Sequence, residues 1–518
     1  LIPGTYNVAE GDFADWDLTS LNCSNGSIAN LETQSVAIDV APGEDVTCTF
    51  VNTRRARIRV DKVTLPAADL QSFDFNIVGG PENVDEDFSL TEEADLFTTG
   101  FSLKPGSGYS VEEDVPNGWE LVSAICSDGS LPNDISLDAG ESVTCTFTNG
   151  KLPVLTLEKT ITNNNGGTAN IADFQGKIDG SDVAWATPTT LPIGDYTASE
   201  VTGVVGYAAS DWGTNCDADG SVTLAYGDNK VCSITNDDIA PKLTLVKTVT
   251  NNNGGSDIPS SWTLTAIGAG LNPSNLDGST PVNSGATFKA DTYNLGESGP
   301  ASYTAGDWSC VGGTQNGSSI TLVLDEKATC TINNDDDAPK LHLVKVVIND
   351  NGGTALPTAW TLTATGTGLN PTNLSGITQV DSGSNFHSDT YALAEVGGSA
   401  GYAAGAWDCG QATMADPTHV VVAFGRDITC TITNDDIAPK LTVTKVVVND
   451  NGGTKVVSDF PLFVNGNSVT SGVQNTLAAN VLYTATETGV TDYVASVWTG
   501  DCAADGTIIL APGDVKSC

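Results

Sequence analysis

Positive charge is scarce in this chain of 518 residues. Lys and Arg together number 21 against 64 Asp and Glu, which gives a formal net charge of -43. Nucleic acids and anionic membrane surfaces attract proteins through positive potential, so the composition argues against both as partners. No run of 18 or more apolar residues occurs, and we therefore expect no transmembrane segment.

Catalytic motifs are also lacking. The three histidines, His342, His387 and His419, form no metal-binding or catalytic pattern. No glycine-rich phosphate loop, H-E-x-x-H zinc motif or G-x-S-x-G nucleophile motif is present. We therefore expect no turnover enzyme. Because the single methionine is Met414, residue 1 is not an initiator, and we interpret the sequence as a mature chain or a segment of one.

No cysteine is left over once the 12 cysteines are grouped by position. They fall two to a segment, as Cys23/Cys48, Cys126/Cys145, Cys216/Cys232, Cys310/Cys330, Cys409/Cys430 and Cys502/Cys518. Pairs without C-x-x-C spacing or a nearby histidine indicate disulfides rather than zinc sites. Disulfides in turn predict an oxidising, extracellular location, secreted or at the cell surface. The alternative is a set of reduced thiols in the module cores.

A repeated segment organises what is present. The sequences KLTLVKTVTNNNGG, KLHLVKVVINDNGG and KLTVTKVVVNDNGG begin at Lys242, Lys340 and Lys440. They recur at a spacing of about one small domain, which is typical of a tandem array. Alternating runs of Val, Thr, Ile and Leu, broken by Gly, Asn and Pro, predict strands, and no amphipathic helix is evident. We predict an all-β array of β-sandwich modules with one disulfide in each.

Short linkers mark the module boundaries. NDDIAPK occurs at 236–242 and 434–440, and NDDDAPK at 334–340, where Asn and Asp favour a turn and Ala-Pro an extended step. The first module opens at its Tyr-x-x-x-Glu and so lacks its early strands, while the last stops at Cys518 and lacks its last strand. The chain therefore resembles a cut from a longer repetitive one. The predicted modules are 1–53 (partial), 54–151, 152–239, 240–338, 339–438 and 439–518 (partial).

Strand alternation places a lysine in the apolar stripe of each first strand. In LTVTKVVV, Lys445 shares a face with Leu441 and Val443. An unpaired charge there is costly, so a partner must compensate it. The Glu of Tyr-x-x-x-Glu and an Asn four residues after the second cysteine also point inward. The predicted triads are Lys62/Glu113/Asn149, Lys159/Glu200/Asn236, Lys247/Glu297/Asn334 and Lys345/Glu395/Asn434.

This order of residues resembles the Cna-B and SpaA-type prealbumin-like domains of microbial surface proteins and pili. The resemblance implies an Ig-like or prealbumin-like sandwich in which a first-strand lysine attacks a last-strand asparagine, assisted by the glutamate, to form an isopeptide bond. Burial lowers a lysine pKa and raises a glutamate pKa, so a neutral amine and a neutral acid can coexist. The cysteine pair in each module departs from the usual family pattern. The alternative is a buried hydrogen-bonded network with no covalent step.

The function predicted from these features is structural. Tandem cross-linked modules indicate an extracellular stalk, fibre or pilus-like filament whose partners are neighbouring copies of itself. The alternative is an adhesin or ligand-binding surface protein that recognises a host or surface ligand through one divergent module, with the acidic segment PENVDEDFSLTEEADLF of the second module as the place to look.

One cofactor, calcium, is considered. The loops NNNGG and NDNGG follow the first strands and are expected at the same pole as the terminal NDD segments, where oxygen ligands could converge. The candidate ligands are Asp237, Asp238, Asp435 and Asp436. The alternative is ordinary turn chemistry, since Gly provides positive φ and Asn tolerates it. No other cofactor or metal is expected.

Overall fold

The computed structural model describes residues 1–201, 203–368 and 372–518. By its internal contacts the chain divides into two compact units, residues 1–239 and 240–518. Strands dominate both units, and the regular helices in the described ranges are four short 3-10 turns: η1 (Ile171–Asp173), η2 (Pro259–Ser261), η3 (Pro357–Ala359) and η4 (Val457–Asp459). No helix among the described residues is long and apolar enough to cross a membrane.

The unit 1–239 contains three modules. The first has β1 (Gly4–Ala9), β2 (Trp16–Cys23), β3 (Ala29–Asn30), β4 (Ser35–Val40) and β5 (Cys48–Arg54). The second has β6 (Arg57–Leu65), β7 (Phe73–Gly79), β8 (Val84–Leu90), β9 (Leu96–Thr98), β10 (Gly106–Asp114), β11 (Trp119–Cys126), β12 (Ile135–Leu137) and β13 (Ser142–Lys151). The third has β14 (Val154–Thr162), β15 (Gly176–Ile178), β16 (Ser181–Val183), β17 (Thr189–Thr190), β18 (Gly194–Glu200), β19 (Tyr207–Ala209), β20 (Gly213–Thr214), β21 (Ser221–Leu224) and β22 (Asn229–Asp238).

The unit 240–518 contains three more. The fourth module has β23 (Lys242–Thr250), β24 (Thr263–Gly268), β25 (Leu276–Gly278), β26 (Val282–Asn283), β27 (Asp291–Ser298), β28 (Tyr303–Ala305), β29 (Ser309–Val311), β30 (Thr314–Asn316), β31 (Ser319–Leu322) and β32 (Lys327–Asp336). The fifth has β33 (Lys340–Ile348), β34 (Trp360–Gly366), β35 (Leu374–Gly376), β36 (Val380–Asp381), β37 (Asp389–Gly397), β38 (Tyr402–Asp408), β39 (Thr413–Asp416), β40 (His419–Val422) and β41 (Asp427–Asp436). The sixth has β42 (Lys440–Thr442), β43 (Leu462–Val464), β44 (Asn467–Val469), β45 (Gln474–Thr476), β46 (Leu482–Glu487), β47 (Thr507–Ile509) and β48 (Val515–Ser517).

Two sheets form each module. In residues 54–151 their strand orders are β12-β10-β7-β8 and β11-β13-β6-β9, and in residues 339–438 they are β35-β34-β37-β40-β39 and β36-β33-β41-β38. Side chains from both sheets meet in one apolar cluster, which in the second module includes the fully buried Ile58, Phe73 and Tyr109. Alternating apolar and polar residues along each strand account for this arrangement, because only one face of each sheet is covered.

The first and last strands of each complete module are parallel neighbours. These pairs are β6 with β13, β14 with β22, β23 with β32 and β33 with β41. In the second module the register sets Lys62 opposite Phe147 and Thr64 opposite Asn149. Because alternate residues share a face, Lys62 and Asn149 both face the core, two residues apart along the shared ladder.

The prediction of one disulfide per module is confirmed. All six pairs expected from the sequence are bonded, as Cys23–Cys48, Cys126–Cys145, Cys216–Cys232, Cys310–Cys330, Cys409–Cys430 and Cys502–Cys518. In the second module Cys126 of β11 lies directly opposite Cys145 of β13. The bond therefore ties the last strand to its antiparallel neighbour within one sheet, and it does not join the two sheets.

Removing one disulfide should loosen a single module. The Cys409–Cys430 bond closes a loop of 21 residues, and a loop of that length contributes about 3 kcal/mol by constraining the unfolded chain. We expect the paired change Cys409→Ser with Cys430→Ser to speed amide hydrogen exchange within 339–438, as measured by mass spectrometry of peptides. Equal acceleration in 240–338, where the Cys310–Cys330 bond is intact, would contradict this expectation.

Candidate functional site

Each complete module buries a lysine between its sheets. Lys62, Lys159, Lys247 and Lys345 are between 1% and 8% exposed. In the second module the Lys62 Nζ donates to Asn149 Oδ1 at 2.8 Å, and Glu113 Oε1 lies 3.4 Å from the same Nζ. Lysine and asparagine come from neighbouring parallel strands, and the glutamate comes from β10 of the facing sheet. The structure thus brings together all three residues of this triad.

In the next three complete modules the lysine contacts the glutamate most closely. The Nζ–Oε2 distances are 2.5 Å for Lys159–Glu200, 2.8 Å for Lys247–Glu297 and 2.6 Å for Lys345–Glu395. The partner asparagines are buried there as well, and their side-chain Oδ1 atoms accept no hydrogen bond from the described residues: Asn236, Asn334 and Asn434. A buried carbonyl oxygen that accepts no hydrogen bond destabilises the fold. These three oxygen atoms can therefore still accept a hydrogen bond from a further donor.

The fifth module shows how one carboxyl group can serve both partners. Glu395 Oε2 lies 2.6 Å from Lys345 Nζ, and its Oε1 accepts a hydrogen bond from Asn434 Nδ2 at 2.8 Å. One carboxyl group therefore touches both the amine and the amide nitrogen. This is the arrangement that a proton shuttle between two nitrogen atoms requires.

Burial sets the electrostatics of the site. Desolvation lowers the pKa of Lys62, and also those of Lys159, Lys247 and Lys345, although the neighbouring glutamates oppose the shift. Desolvation likewise raises the pKa of Glu113, against the opposing pull of Lys62. Both shifts favour the neutral forms, amine and carboxylic acid, which are the forms that nucleophilic attack needs.

An aromatic ring lies beside each buried amine, and this feature escaped the reasoning from sequence. The Nζ-to-centroid distance is 3.9 Å for Lys62 and Phe73, and 4.8 Å for Lys345 and Trp360. A ring at this distance attracts a cation and shields the amine from water. The sequence does contain a signal for this ring, which is an aromatic residue fifteen positions after the lysine. The pairs are Lys159 and Phe174, Lys247 and Trp262, Lys345 and Trp360, and Lys445 and Phe460.

The first and sixth modules each hold part of the same site. Lys445 Nζ lies 2.6 Å from Glu487 Oε2, with side chains 17% and 14% exposed. Asn52 Nδ2 donates to Glu10 Oε1 at 2.6 Å. Asn52 follows Cys48 by the same four residues as in the complete modules, so the rule that located the other asparagines also locates this one.

Family comparisons agree with this geometry. A model of the SpaA-type prealbumin-like fold domain matches residues 151–234, 238–332, 336–432 and 436–518, and a second model of that description matches 2–54 and 58–151. The chain belongs to the family of SpaA-type prealbumin-like domains. The resemblance inferred from the order of Lys, Glu and Asn is thereby confirmed.

Several solved structures are similar to this chain at low sequence identity. The Bacillus anthracis TIE protein is 13% identical over 82% of this chain and 76% of its own, with a TM-score of 0.36. Two B repeat units of the collagen-binding protein Cna of Staphylococcus aureus are 15% identical over 73% of this chain and 99% of theirs, with a TM-score of 0.19. The major pilin T-13 of Streptococcus pyogenes is 12% identical over 55% of this chain and 98% of its own, with a TM-score of 0.15. No curated protein matches the chain.

The prealbumin-like modules also carry a buried aspartate where the last strand ends. Asp436 is 2% exposed, and its carboxylate accepts the backbone N–H groups of Asn351 at 3.0 Å and Gly353 at 2.5 Å. Asp238 and Asp336 hold the equivalent loops in the same way. These bonds fix the NNNGG and NDNGG loops against the end of the last strand.

Calcium binding stays a prediction for these loops. The carboxylates of Asp350, Asp435 and Asp436 offer oxygen atoms that all lie within 4.8 Å of one another. Asp435 and the equivalent Asp237 are exposed, whereas Asp436 and Asp238 already serve as acceptors for backbone N–H groups. The observed bonds of the buried pair are those of turn chemistry.

Replacing Asp436 should release its loop. Burial alone would raise the pKa of Asp436, but hydrogen bonds from Gly353 and Asn351 outweigh it and hold the pKa below the usual 3.8. The stabilisation is therefore complete above the unfolded pKa and is lost as the pH falls through the folded pKa. We expect Asp436→Asn to cost about 1–3 kcal/mol locally and to speed hydrogen exchange of residues 350–353 at pH 7.

Asp435→Asn is the matched control, because Asp435 is exposed and makes no such bonds to the loop among the described residues. It should leave the exchange rate of the loop unchanged. Acceleration of the same size in both variants would show that charge near the loop, and not the hydrogen bonds of Asp436, controls its stability.

Proposed function

We propose that this chain is an extracellular structural protein, a stalk, fibre or pilus-like filament, whose complete modules are each closed by a Lys–Asn isopeptide bond. The observation that supports it most directly is the Glu395 carboxyl group, which touches both the attacking amine and the leaving amide nitrogen. The six disulfides support an oxidising, extracellular setting.

The proposed reaction turns over once per module and balances without an oxidant. The neutral Nζ of Lys345 attacks Cγ of Asn434, so an Nζ–Cγ bond forms and the Cγ–Nδ2 bond breaks. One proton passes from Nζ to Nδ2 through the Glu395 carboxyl group, and ammonia leaves. Holding the groups in contact supplies much of the rate, because effective molarities of well-oriented groups are very large.

The position of the bond suits a protein under tension. The parallel strands β33 and β41 share nine register pairs, from Lys340↔Asp427 to Ile348↔Asp435. Force enters at the start of the first strand and leaves at the end of the last, so it loads this ladder in shear. A covalent link between Lys345 and Asn434 passes the force directly from one strand to the other. The segment between these two residues, which includes the Cys409–Cys430 bond, then carries no force.

Intact mass measures the bonds directly. After reduction, the native chain should weigh less than its sequence by one ammonia for each complete module, four in all, at Lys62, Lys159, Lys247 and Lys345. Glu395→Gln should lose one ammonia fewer, because an amide cannot relay the proton. Peptide mapping should then find residue 345 unlinked and the other three lysines linked.

Gln411→Glu is a control on an exposed residue of the same module, outside the triad, and should leave the ammonia deficit unchanged. If the reduced native chain has the full mass of its sequence, the proposed cross-link does not form. The triads would then be buried polar networks, and the disulfides would be the covalent ties of each module.

Pulling on single molecules tests the mechanical part of the proposal. With the cross-link, the fifth module should not lengthen before the chain detaches. With Lys345→Ala, unfolding should add roughly 240 Å for the released residues, because the Cys409–Cys430 loop stays closed. Added reductant should extend that step by roughly 70 Å. A native module that lengthens like the variant would contradict the proposed role of the bond.

A further inference from the structure

The second module, residues 54–151, has an acidic outer face on one sheet and a cluster of arginines where β6 of the other sheet begins. Its two sheets pack their apolar sides together, so each sheet turns its other side outward. The outer side of β10-β7-β8 is acidic, and the edge where β6 begins is basic. This contrast stands out in a chain that has three acidic residues for each basic one.

The acidic face is built from three adjacent strands. On β7, Phe73 and Phe75 are buried while Asp74 points outward, and the register continues that face onto β8 and β10. Asn76 Nδ2, at its centre, donates to Asp85 at 2.9 Å and to Asp87 at 2.6 Å. The exposed carboxylates of this face are Asp74, Asp85, Asp87, Glu112 and Asp114.

This face destabilises the free module. Asp74 and Asp114 lie directly opposite each other in the antiparallel pair of β7 and β10. Like charges at such positions repel, which costs stability in the module by itself. None of the five carboxylates forms an ion pair with a lysine, arginine or histidine of the described residues. A cationic partner would relieve the repulsion.

The basic edge is formed by arginines. Four of the five arginines of the chain lie between 54 and 59, and the fifth is Arg426. Arg55 is paired with Asp17 and Glu82, but Arg54, Arg57 and Arg59 form no ion pair with the described residues. The Arg54 and Arg57 guanidinium groups stack on the Phe101 ring, at 4.2 Å and 4.5 Å from its centroid.

Stacking on the Phe101 ring orders the Arg54 and Arg57 side chains before any carboxylate binds. A guanidinium held on a ring has already lost part of its conformational freedom, so less is lost on binding. Arg57 Nε donates to Ser142 Oγ at 2.9 Å, and its terminal N–H groups remain available for a carboxylate. Asp61 also points outward from β6, but it already accepts a hydrogen bond from Thr146 at 2.9 Å. The edge therefore stays cationic around Arg54, Arg57 and Arg59.

We propose that the arginine edge of one copy docks on the acidic face of a second copy. Both surfaces belong to the same module and lie on different sides of it, so the contact is heterologous and can continue from copy to copy. The occupant of each surface is a second copy because the chain itself supplies the complementary charge. The contact does not depend on the isopeptide bonds, so its failure would leave the proposed function untouched.

The contact is small and therefore weak by itself. Strands β7 and β8 have seven residues each and β10 has nine, so together they present roughly 400 Å², well below the roughly 800 Å² per partner of a stable interface. The net charge of -43 on each copy adds repulsion that salt screens. Association should hence be measurable at high protein concentration and near-physiological salt, and copies arrayed side by side would strengthen it through multivalency.

Charge reversal on the full chain tests the pairing. One variant carries Arg57→Glu with Arg59→Glu, and the other carries Asp85→Lys with Asp87→Lys. Sedimentation velocity should show that each variant alone self-associates about tenfold more weakly than the native chain, because like charges then meet. An equimolar mixture of the two variants should associate again, because each reversed face then meets a face of opposite sign.

The matched control is Asp277→Lys with Asp307→Lys, two exposed aspartates of the fourth module that give the same change in net charge. It should not reproduce the loss caused by the Asp85 and Asp87 changes. Three results would overturn the proposal: a native chain that stays monomeric at its highest soluble concentration, a loss in only one of the two variants, or a mixture that does not associate. A loss in the arginine variant alone would show that this edge meets a different surface of the second copy.

Discussion

A lysine amine inside a β-sandwich core is the constraint around which each complete prealbumin-like module is arranged. Lys62 is 1% exposed, and an unpaired ammonium group at that depth would be very costly. The facing sheet has to supply Glu113, and the neighbouring parallel strand has to supply Asn149. Because strand faces alternate, a slip of one residue in any of the three strands would turn a member of the triad outward. The triad therefore fixes strand register as well as charge.

The same constraint explains why the triad and the disulfide can coexist in one module. The triad spans the first and last strands and the opposite sheet, whereas the disulfide joins the last strand to its antiparallel neighbour in the same sheet. The cysteine and the asparagine lie four residues apart on the last strand, as Cys145 and Asn149 do, and so share its inner face. The triad and the disulfide therefore restrict different movements of that strand, and neither makes the other redundant.

Much of this could be predicted from the sequence because it depends on periodicity. A period of two identified the inward lysines, and the four-residue offset from cysteine identified Asn236 and Asn434. Sequence could not show which atoms meet: Lys62 contacts its asparagine, whereas Lys345 contacts its glutamate, and this difference depends on side-chain rotamers and sheet separation. Asp436 was considered for calcium because acidic loops suggest it, yet its hydrogen bonds to a loop that lies 83 residues earlier depend on tertiary structure.

The repeated interior and the variable exterior have separate consequences. All four complete modules keep the Lys, Glu, Asn and cysteine positions, although their outer faces differ. A module tied together from within does not depend on favourable charge pairs on its surface, because exposed pairs contribute little to stability. The second module can therefore set Asp74 opposite Asp114 and still fold. The interior fixes the strand register of each module, and the outer surface is left free to vary from one module to the next.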